Sequence, residues 1–220
     1  MERLREIKDR FYEQFARIGK AVSSPKRLEI IDLLCQGEKT VETLARQAGL
    51  TVGNASAHLK ALREARLVEV RKEGQHSYYR LGDESVCAFW VTLRLLAEKR
   101  LAEVRATEEL LDPEGVTRMD RRELLAKVER GEVTLIDVRP TDEYRAGHLP
   151  GARSIPLEEL ESAIASLPSD QQIVAYCRGP YCVLAIEAVA ILRDRHVPAV
   201  RLRDGVFEWR MANLPIELAH

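Results

Sequence analysis

The chain has 220 residues, 45% hydrophobic and 31% charged, which is long enough for two domains and too apolar for a disordered protein. Residues 1–20 are charged throughout and lack the apolar core of a secretory signal. No run approaches the roughly 18 apolar residues of a membrane-spanning helix. Four cysteines are too few for a disulfide framework and fit a reducing compartment. We therefore expect a cytoplasmic protein with no membrane partner.

Charge is distributed unevenly along the chain. Residues 1–82 contain 16 Lys and Arg against 11 Asp and Glu, whereas residues 83–220 contain 18 against 24. A basic first third on an acidic remainder indicates that the two parts have different partners. Nucleic acid is the expected partner of the first part.

The first part predicts three short helices followed by a β-hairpin. Each helix follows a hydroxyl residue whose side-chain oxygen can cap the first amides. The three predicted caps are Ser24, Thr40 and Thr51. A polar turn containing Gly74 then joins two predicted strands, 67–71 and 77–81.

Residues 83–111 contain neither Gly nor Pro and predict one long helix. At 1.5 Å per residue it would extend about 40 Å, too far for one small domain to cover, so we expect its apolar residues to meet a second copy. The Asp-Pro-Glu-Gly segment at 112–115 ends this helix. We therefore divide the chain into a first domain at 1–112, a linker at 113–118 and a second domain at 119–220.

The second domain alternates helices and strands. The predicted strands are 133–138, 154–156, 173–176 and 199–202, and the predicted helices are 120–130, 156–167, 181–195 and 204–213. Strands separated by helices favour a parallel sheet covered on both faces. The expected fold is a mainly-α winged helix-turn-helix domain followed by an α/β domain with a central parallel sheet.

The third helix of the first domain is suited to reading DNA. Its outer face is small or polar, so it can enter a major groove about 12 Å wide. The residues expected there are Thr51, Gly53, Asn54, Ser56, Ala57 and Lys60. Arg71, Lys72 and His76 on the hairpin are placed to contact phosphates. His58 is either a groove contact or a packed ring.

Several short motifs follow one another through the first domain. They are GE at 37–38, LA at 44–45, GLT at 49–51, SAHLKAL at 56–62, LV at 67–68, EG at 73–74 and YRL at 79–81. Together they resemble the ArsR/SmtB family of bacterial repressors. The resemblance covers about 15–105 and implies a homodimer, formed through the first and last helices, that binds a palindromic operator. Metal-sensing relatives carry a Cys-x-Cys pair where residues 41–43 read Val-Glu-Thr, or His ligands on the last helix, and no His lies between residues 77 and 147. We therefore expect no metal.

Cys35 and Cys87 allow two interpretations. Each is either a small buried hydrophobe or one half of a dithiol switch. The ArsR/SmtB resemblance keeps the dithiol switch open, since some members of that family sense persulfides with cysteines in these helices.

A second candidate site follows the strand at 173–176. The segment Cys177-Arg178-Gly179-Pro180-Tyr181-Cys182 joins that strand to a helix, so loop N–H groups and the helix N-terminus surround the first thiol. Both favour negative charge and lower a thiol pKa. Gly179 lacks a side chain and so permits a ligand to approach the loop closely, and Pro180 stiffens the loop. Arg178 adds a cation suited to a small anionic sulfur donor such as thiosulfate.

Further motifs flank this segment on both sides. They are LIDVRP at 135–140, EY at 143–144, GHLPGA at 147–152, IP at 155–156, DGVFEW at 204–209 and LP at 214–215. With the segment itself they resemble a rhodanese domain. The resemblance covers about 116–220 and implies that Cys177 is a nucleophile that carries a persulfide and passes the sulfur to a thiophilic acceptor. It also implies that Asp137 and Arg139 support the loop, and no cofactor is expected.

Two details of the loop bear on its chemistry. Related phosphatases need Arg six residues after the cysteine, where this chain has Val183, so phosphatase chemistry is disfavoured. Cys182 is either a thiol that resolves a persulfide at Cys177 or a thiol that simply packs at the helix start.

The sequence thus predicts a homodimeric DNA-binding regulator in which a persulfide on Cys177 couples sulfane-sulfur or redox state to operator binding. The alternative is a sulfurtransferase enzyme, with a thiosulfate or persulfide donor and a thiol acceptor, whose first half mainly dimerises or localises it. A third class is a repressor whose rhodanese half is inert.

Overall fold

The computed structural model describes residues 1–111, 120–168 and 171–219. These residues form two compact units, Met1–Leu95 and Leu96–His220. The predicted linker at 113–118 lies outside the described residues.

The first unit is helical with a small antiparallel sheet. Its helices are α1 (Glu2–Val22), α2 (Pro25–Cys35), α3 (Val41–Gln47), α4 (Val52–Glu64) and most of α5 (Glu84–Arg100). Its strands are β1 (Lys39–Thr40), β2 (Val68–Glu73) and β3 (His76–Leu81), in the order β1-β3-β2. This arrangement confirms the three helices and the hairpin that the sequence predicts.

Side-chain caps set two of the helix starts. Thr40 accepts a hydrogen bond from the Thr43 amide at 3.3 Å, and Thr51 accepts one from the Asn54 amide at 3.2 Å. Ser24 is the N-cap residue of α2, as predicted, but its side chain makes no cap bond. Pro25 occupies the first turn, where its fixed φ already suits a helix.

The core of the first unit leaves one face of α4 in solvent. Ala55, Leu59 and Leu62 are fully buried at helical spacing and pack with residues of α2 and α3. The opposite face of α4 is exposed. The sequence prediction of an inner apolar face and an outer polar face is confirmed.

The second unit contains a four-stranded parallel sheet in the order β5-β4-β6-β7. The strands are β4 (Val133–Asp137), β5 (Arg153–Ser154), β6 (Gln172–Tyr176) and β7 (Ala199–Arg201). The helices are α6 (Ala102–Leu111), α7 (Arg121–Glu129), α8 (Thr141–Ala146), α9 (Leu160–Ala163), α10 (Leu184–Asp194) and α11 (Val206–Met211). Short 3₁₀ turns flank α9 at Leu157–Glu159 and Ile164–Ser166.

Alternate residues of the central strands face opposite sides of this sheet. Ile136 and Ala175 belong to a core formed with α9 and α10, whereas Leu135 and Tyr176 belong to a core formed with α7 and α11. Both faces are therefore covered, as predicted for a parallel sheet.

The prediction of one continuous helix at 83–111 is wrong in one respect: the helix is broken at Leu101 into α5 and α6. Glu98 before the break and Glu108 after it both contact Arg203, at 3.6 Å and 2.9 Å. A straight helix would separate residues ten positions apart by about 15 Å, so a bend brings both carboxylates to one guanidinium.

Other predicted elements differ in detail. The helix predicted at 156–167 is three short turns, and the helix predicted to begin at 181 begins at Leu184. Val86 is buried in the core of the first unit and is therefore not exposed to a second copy as expected, whereas Trp90 is half-buried and packs against the same core. The Trp90 indole donates to Asp32 at 2.8 Å, which fixes the ring there.

Candidate functional site

Cys177 lies directly after β6, at the carboxyl end of the central strands. Its side chain is 2% exposed and packs in the core beneath α10. The loop that follows continues to Val183, since α10 begins at Leu184. This is the edge of an open parallel sheet at which ligands bind.

The loop is held by three side chains from other elements. Arg178 donates to both carboxylate oxygens of Glu143 on α8, at 2.8 to 3.2 Å. Arg201 donates to the Pro180 carbonyl at 3.0 Å. The Tyr181 hydroxyl donates to Glu98 at 2.8 Å. The loop conformation is therefore fixed before any ligand binds.

Tyr181 remains a donor at neutral pH. Burial and the hydrogen bond to Glu98 raise the pKa of the Tyr181 phenol above its ordinary value. The phenol therefore keeps its proton, and the contact with Glu98 persists over the physiological range.

Arg178 is a cation of the loop, as expected, but its charge is paired. Its side chain is 13% exposed, and its guanidinium forms a bidentate pair with Glu143, which is buried. The positive charge is thus balanced by a carboxylate that the sequence reasoning did not select. Glu143 stands in the EY motif, and that motif was the signal that could have identified it.

Gly205 allows the loop to pack directly against the start of α11. A Cβ atom at this position would lie 2.8 Å from the Cys177 carbonyl oxygen and would collide with the Arg178 carbonyl. Since both are backbone atoms, a side chain at residue 205 would have to displace the loop. The glycine of the DGVFEW motif is therefore a direct requirement of the site.

Asp137 and Arg139 form a buried ion pair at the end of β4. Arg139 donates to Asp137 at 2.6 and 2.9 Å and to the Gly147 carbonyl at 2.7 Å. Burial lowers the pKa of Arg139, but the hydrogen bond and charge of Asp137 raise it more, so the arginine stays charged. Removing one partner of such a pair costs about 3–5 kcal/mol. The pair supports the segment at Gly147 and lies near the ring of Tyr176, the residue before Cys177.

The four cysteines, all within the described part of the chain, form two disulfides. Cys177 is joined to Cys182, with their Cα atoms 6.2 Å apart, and Cys35 is joined to Cys87, with their Cα atoms 5.8 Å apart. The sequence left both pairings open. In the structure each sulfur reaches its partner, so neither pair consists of isolated packing thiols.

The outer face of α4 is exposed at every position expected to contact DNA. These positions are Thr51, Gly53, Asn54, Ser56, Ala57 and Lys60. His58 is half-buried, which leaves its two interpretations open. Lys72 and His76 are exposed on the hairpin.

Arg71 is exposed but already paired. Its guanidinium bonds to Glu38 and Glu73, and these hydrogen bonds raise its pKa. A phosphate would have to compete with two carboxylates for this side chain. Arg71 is therefore a weaker candidate for phosphate contact than Lys72.

The described residues contain neither a candidate metal site nor a candidate membrane-spanning helix. No group of three or more His, Cys, Asp and Glu side chains there is arranged to hold a metal ion. None of the helices in that part of the chain combines the length and apolar character needed to cross a membrane.

Comparison with known proteins agrees with this two-part architecture. Residues 24–70 match the bacterial regulatory protein, arsR family, and residues 120–212 match the rhodanese-like domain. The chain is 48% identical over 207 residues, 93% of its length, to the HTH-type transcriptional regulator Rv0324 of Mycobacterium tuberculosis, of which it covers 91%. The chain belongs to the ArsR family of transcriptional regulators and carries a rhodanese-like domain.

Two further similarities each cover one half of this ArsR-family regulator. The second half is 30% identical over 86 residues to a sulfurtransferase of Allochromatium vinosum, a match that covers 39% of this chain and 78% of that protein. The first half is 41% identical to the homodimeric winged helix-turn-helix DNA-binding domain of a Mycobacterium bovis protein. That match covers 44% of this chain and 89% of that domain, with a TM-score of 0.42.

The close packing at Gly205 gives a testable prediction. We expect Gly205→Ala to displace the loop and to prevent Cys177 from closing a disulfide with Cys182, because the added methyl group meets backbone atoms. Peptide mass mapping after mild oxidation measures this closure. Gly19→Ala is the matched control, since no atom lies within 4 Å of its added Cβ. Normal disulfide closure in Gly205→Ala would contradict the packing described.

Proposed function

We propose that this ArsR-family regulator is a cytoplasmic homodimer in which a persulfide on Cys177 changes the affinity of the winged helix-turn-helix domain for operator DNA. The observation that carries the proposal is the anchored loop around Cys177 in the same chain as an exposed recognition helix. The first feature suits sulfur transfer, and the second suits DNA binding.

The exposed face of α4 supports the DNA-binding half. Asn54 can donate and accept at an adenine edge in the major groove, and Lys60 can neutralise a phosphate. Lys72 and His76 on the hairpin extend the basic surface. A palindromic operator follows if two such domains are related by a two-fold axis.

Exposed apolar residues support a homodimer. Leu4, Ile7, Phe11 and Phe15 recur at helical spacing along α1 and are all exposed. Large apolar patches on a soluble protein mark interaction surfaces. A second copy of the chain would cover this face.

The loop after β6 supports a persulfide at Cys177. The Cys177 thiolate would attack the outer sulfur of a donor, and the loop amides and the α10 N-terminus would stabilise the resulting anion. Because Glu143 balances Arg178, the loop gains no net positive charge from that arginine. A persulfide is therefore a better donor here than the thiosulfate dianion.

The Cys35–Cys87 pair would link the redox state of the protein to its affinity for DNA. It joins α2 to α5 within the first unit, and α2 packs against α4. Disulfides in the cytoplasm are typically transient and redox-sensing. Sulfur loading at Cys177 would reach the operator either through α5 or by sulfur transfer to Cys35 or Cys87.

A second function is favoured by the similarity to a sulfurtransferase and by the intact loop. In that case the chain is first an enzyme, and its first half serves to dimerise or localise it. Rapid thiosulfate-to-cyanide turnover, combined with DNA binding that shows neither sequence preference nor salt dependence, would support the enzyme over the regulator.

The proposed regulatory function is tested by measuring the affinity of the protein for operator DNA in four conditions. Wild type and Cys177→Ser are compared, each before and after treatment with inorganic polysulfide, by fluorescence anisotropy on the DNA upstream of the gene. We expect polysulfide to change the dissociation constant of the wild type by about tenfold, a coupling within the usual allosteric range, and to leave Cys177→Ser unchanged. Equal affinity in all four conditions would rule out the sensor.

The DNA contacts are tested separately. We expect Asn54→Ala to cost about 1–3 kcal/mol at the specific site, and Lys60→Ala to lower the slope of log affinity against log salt by about 1. Arg130→Ala, an exposed change in the second unit, is the matched control. If neither α4 variant differs from the control, this helix does not read the operator.

A further inference from the structure

We propose that Cys182 is a resolving thiol and that the Cys177 loop therefore reduces low-molecular-weight persulfides and releases sulfide. This proposal rests on the persulfide at Cys177 proposed above and adds a second chemical step to it. A rhodanese-like loop with one cysteine stores sulfur, whereas a loop with this pair discharges it.

The geometry places the second thiol within reach of the first. The Cα atoms of Cys177 and Cys182 are 6.2 Å apart, within the range that a disulfide spans without backbone movement. The residues between them are held by Glu143, Arg201 and Glu98. The loop conformation that these contacts hold is therefore one in which the two sulfur atoms meet.

The two thiols differ in exposure, and this difference suits repeated formation and reduction of the disulfide. Cys177 is buried beneath α10, while Cys182 is partly exposed at the outer end of the loop. An external thiol that reduces the disulfide would attack the accessible sulfur, which belongs to Cys182. Cys177 then leaves as a thiolate into the same amides that favour its charge, and the nucleophile is regenerated.

The atoms and electrons balance in two steps. The Cys177 thiolate attacks the outer sulfur of a persulfide R–S–SH, the S–S bond breaks, and R–SH leaves once protonated. The Cys182 thiolate then attacks Cys177 Sγ, the bond to the outer sulfur breaks, and that sulfur leaves as HS⁻. The sulfane sulfur gains two electrons and the two thiols lose them, so the loop ends as the disulfide seen in the structure. A cellular dithiol restores the thiols by exchange and is itself oxidised to a disulfide.

The test is a single turnover with full-length reduced protein freed of reductant and one equivalent of glutathione persulfide. All variants carry Cys35→Ser and Cys87→Ser, so that only the loop thiols react, and the unmodified wild type is run in parallel. Released sulfide is measured with a sulfide-selective electrode, and intact mass reports any sulfur retained on the protein. Circular dichroism verifies that each variant is folded.

We expect the protein with both loop cysteines to release one equivalent of sulfide and to end as the Cys177–Cys182 disulfide. The Cys182→Ser variant should instead retain one sulfur atom on Cys177 and release sulfide rapidly only when a thiol is added in large excess over the glutathione freed in the first step. Cys177→Ser should do neither.

Three results overturn the proposal, and they separate a failure of Cys182 from a failure of Cys177. If Cys182→Ser releases sulfide as fast as the protein with both cysteines, or if both retain the sulfur, Cys182 does not resolve the persulfide although Cys177 still forms one. If Cys182→Ser gains no sulfur at all, the persulfide at Cys177 fails and the resolving step fails with it.

Discussion

The position of Cys177 at the carboxyl end of β6 is the constraint on which the rest of the site depends. A parallel sheet brings the ends of its strands to one edge, so the loop that begins at Cys177 can be held from β7, α8 and α11 together. Gly205 permits this by giving the loop backbone direct contact with the start of α11. The thiol is therefore held in one place by residues distant in sequence.

Two ion pairs lie near Cys177 in the fold, one at the end of the neighbouring strand β4 and one at the residue after Cys177. Arg139 is balanced by Asp137 and Arg178 by Glu143, and three of these four side chains are almost completely buried. Such pairs are costly to bury but costlier to break, so they fix orientation more than they add stability. In the proposed function, backbone amides and a helix N-terminus, rather than these paired arginines, stabilise the anion formed on the Cys177 sulfur.

The fold was largely predictable, because hydrophobic spacing, caps and glycine turns are local signals. The parallel sheet and the exposed face of α4 follow from such patterns. Contacts between distant segments were not predictable. Nothing local to residues 83–111 indicates that Glu98 and Glu108 share Arg203, and so the break at Leu101 was missed. Likewise, the residue type of Arg178 gave no sign that Glu143 neutralises it. Helix α1 was missed because its many charged residues drew attention away from the helical spacing of Leu4, Ile7 and Phe11, which are exposed.

Both proposed roles of Cys177, as the site of a regulatory persulfide and as the thiol that releases sulfide together with Cys182, require that it is ionised at neutral pH. The most direct test is the pH dependence of iodoacetamide alkylation of Cys177 in reduced, full-length Cys182→Ser protein, followed by peptide mass spectrometry. We expect the alkylation rate to reach half its maximum at a pH well below about 8.5, the pKa of an ordinary cysteine thiol. A midpoint at or above that value would contradict it, since the buried thiol would then lack the stabilised charge that sulfur transfer requires.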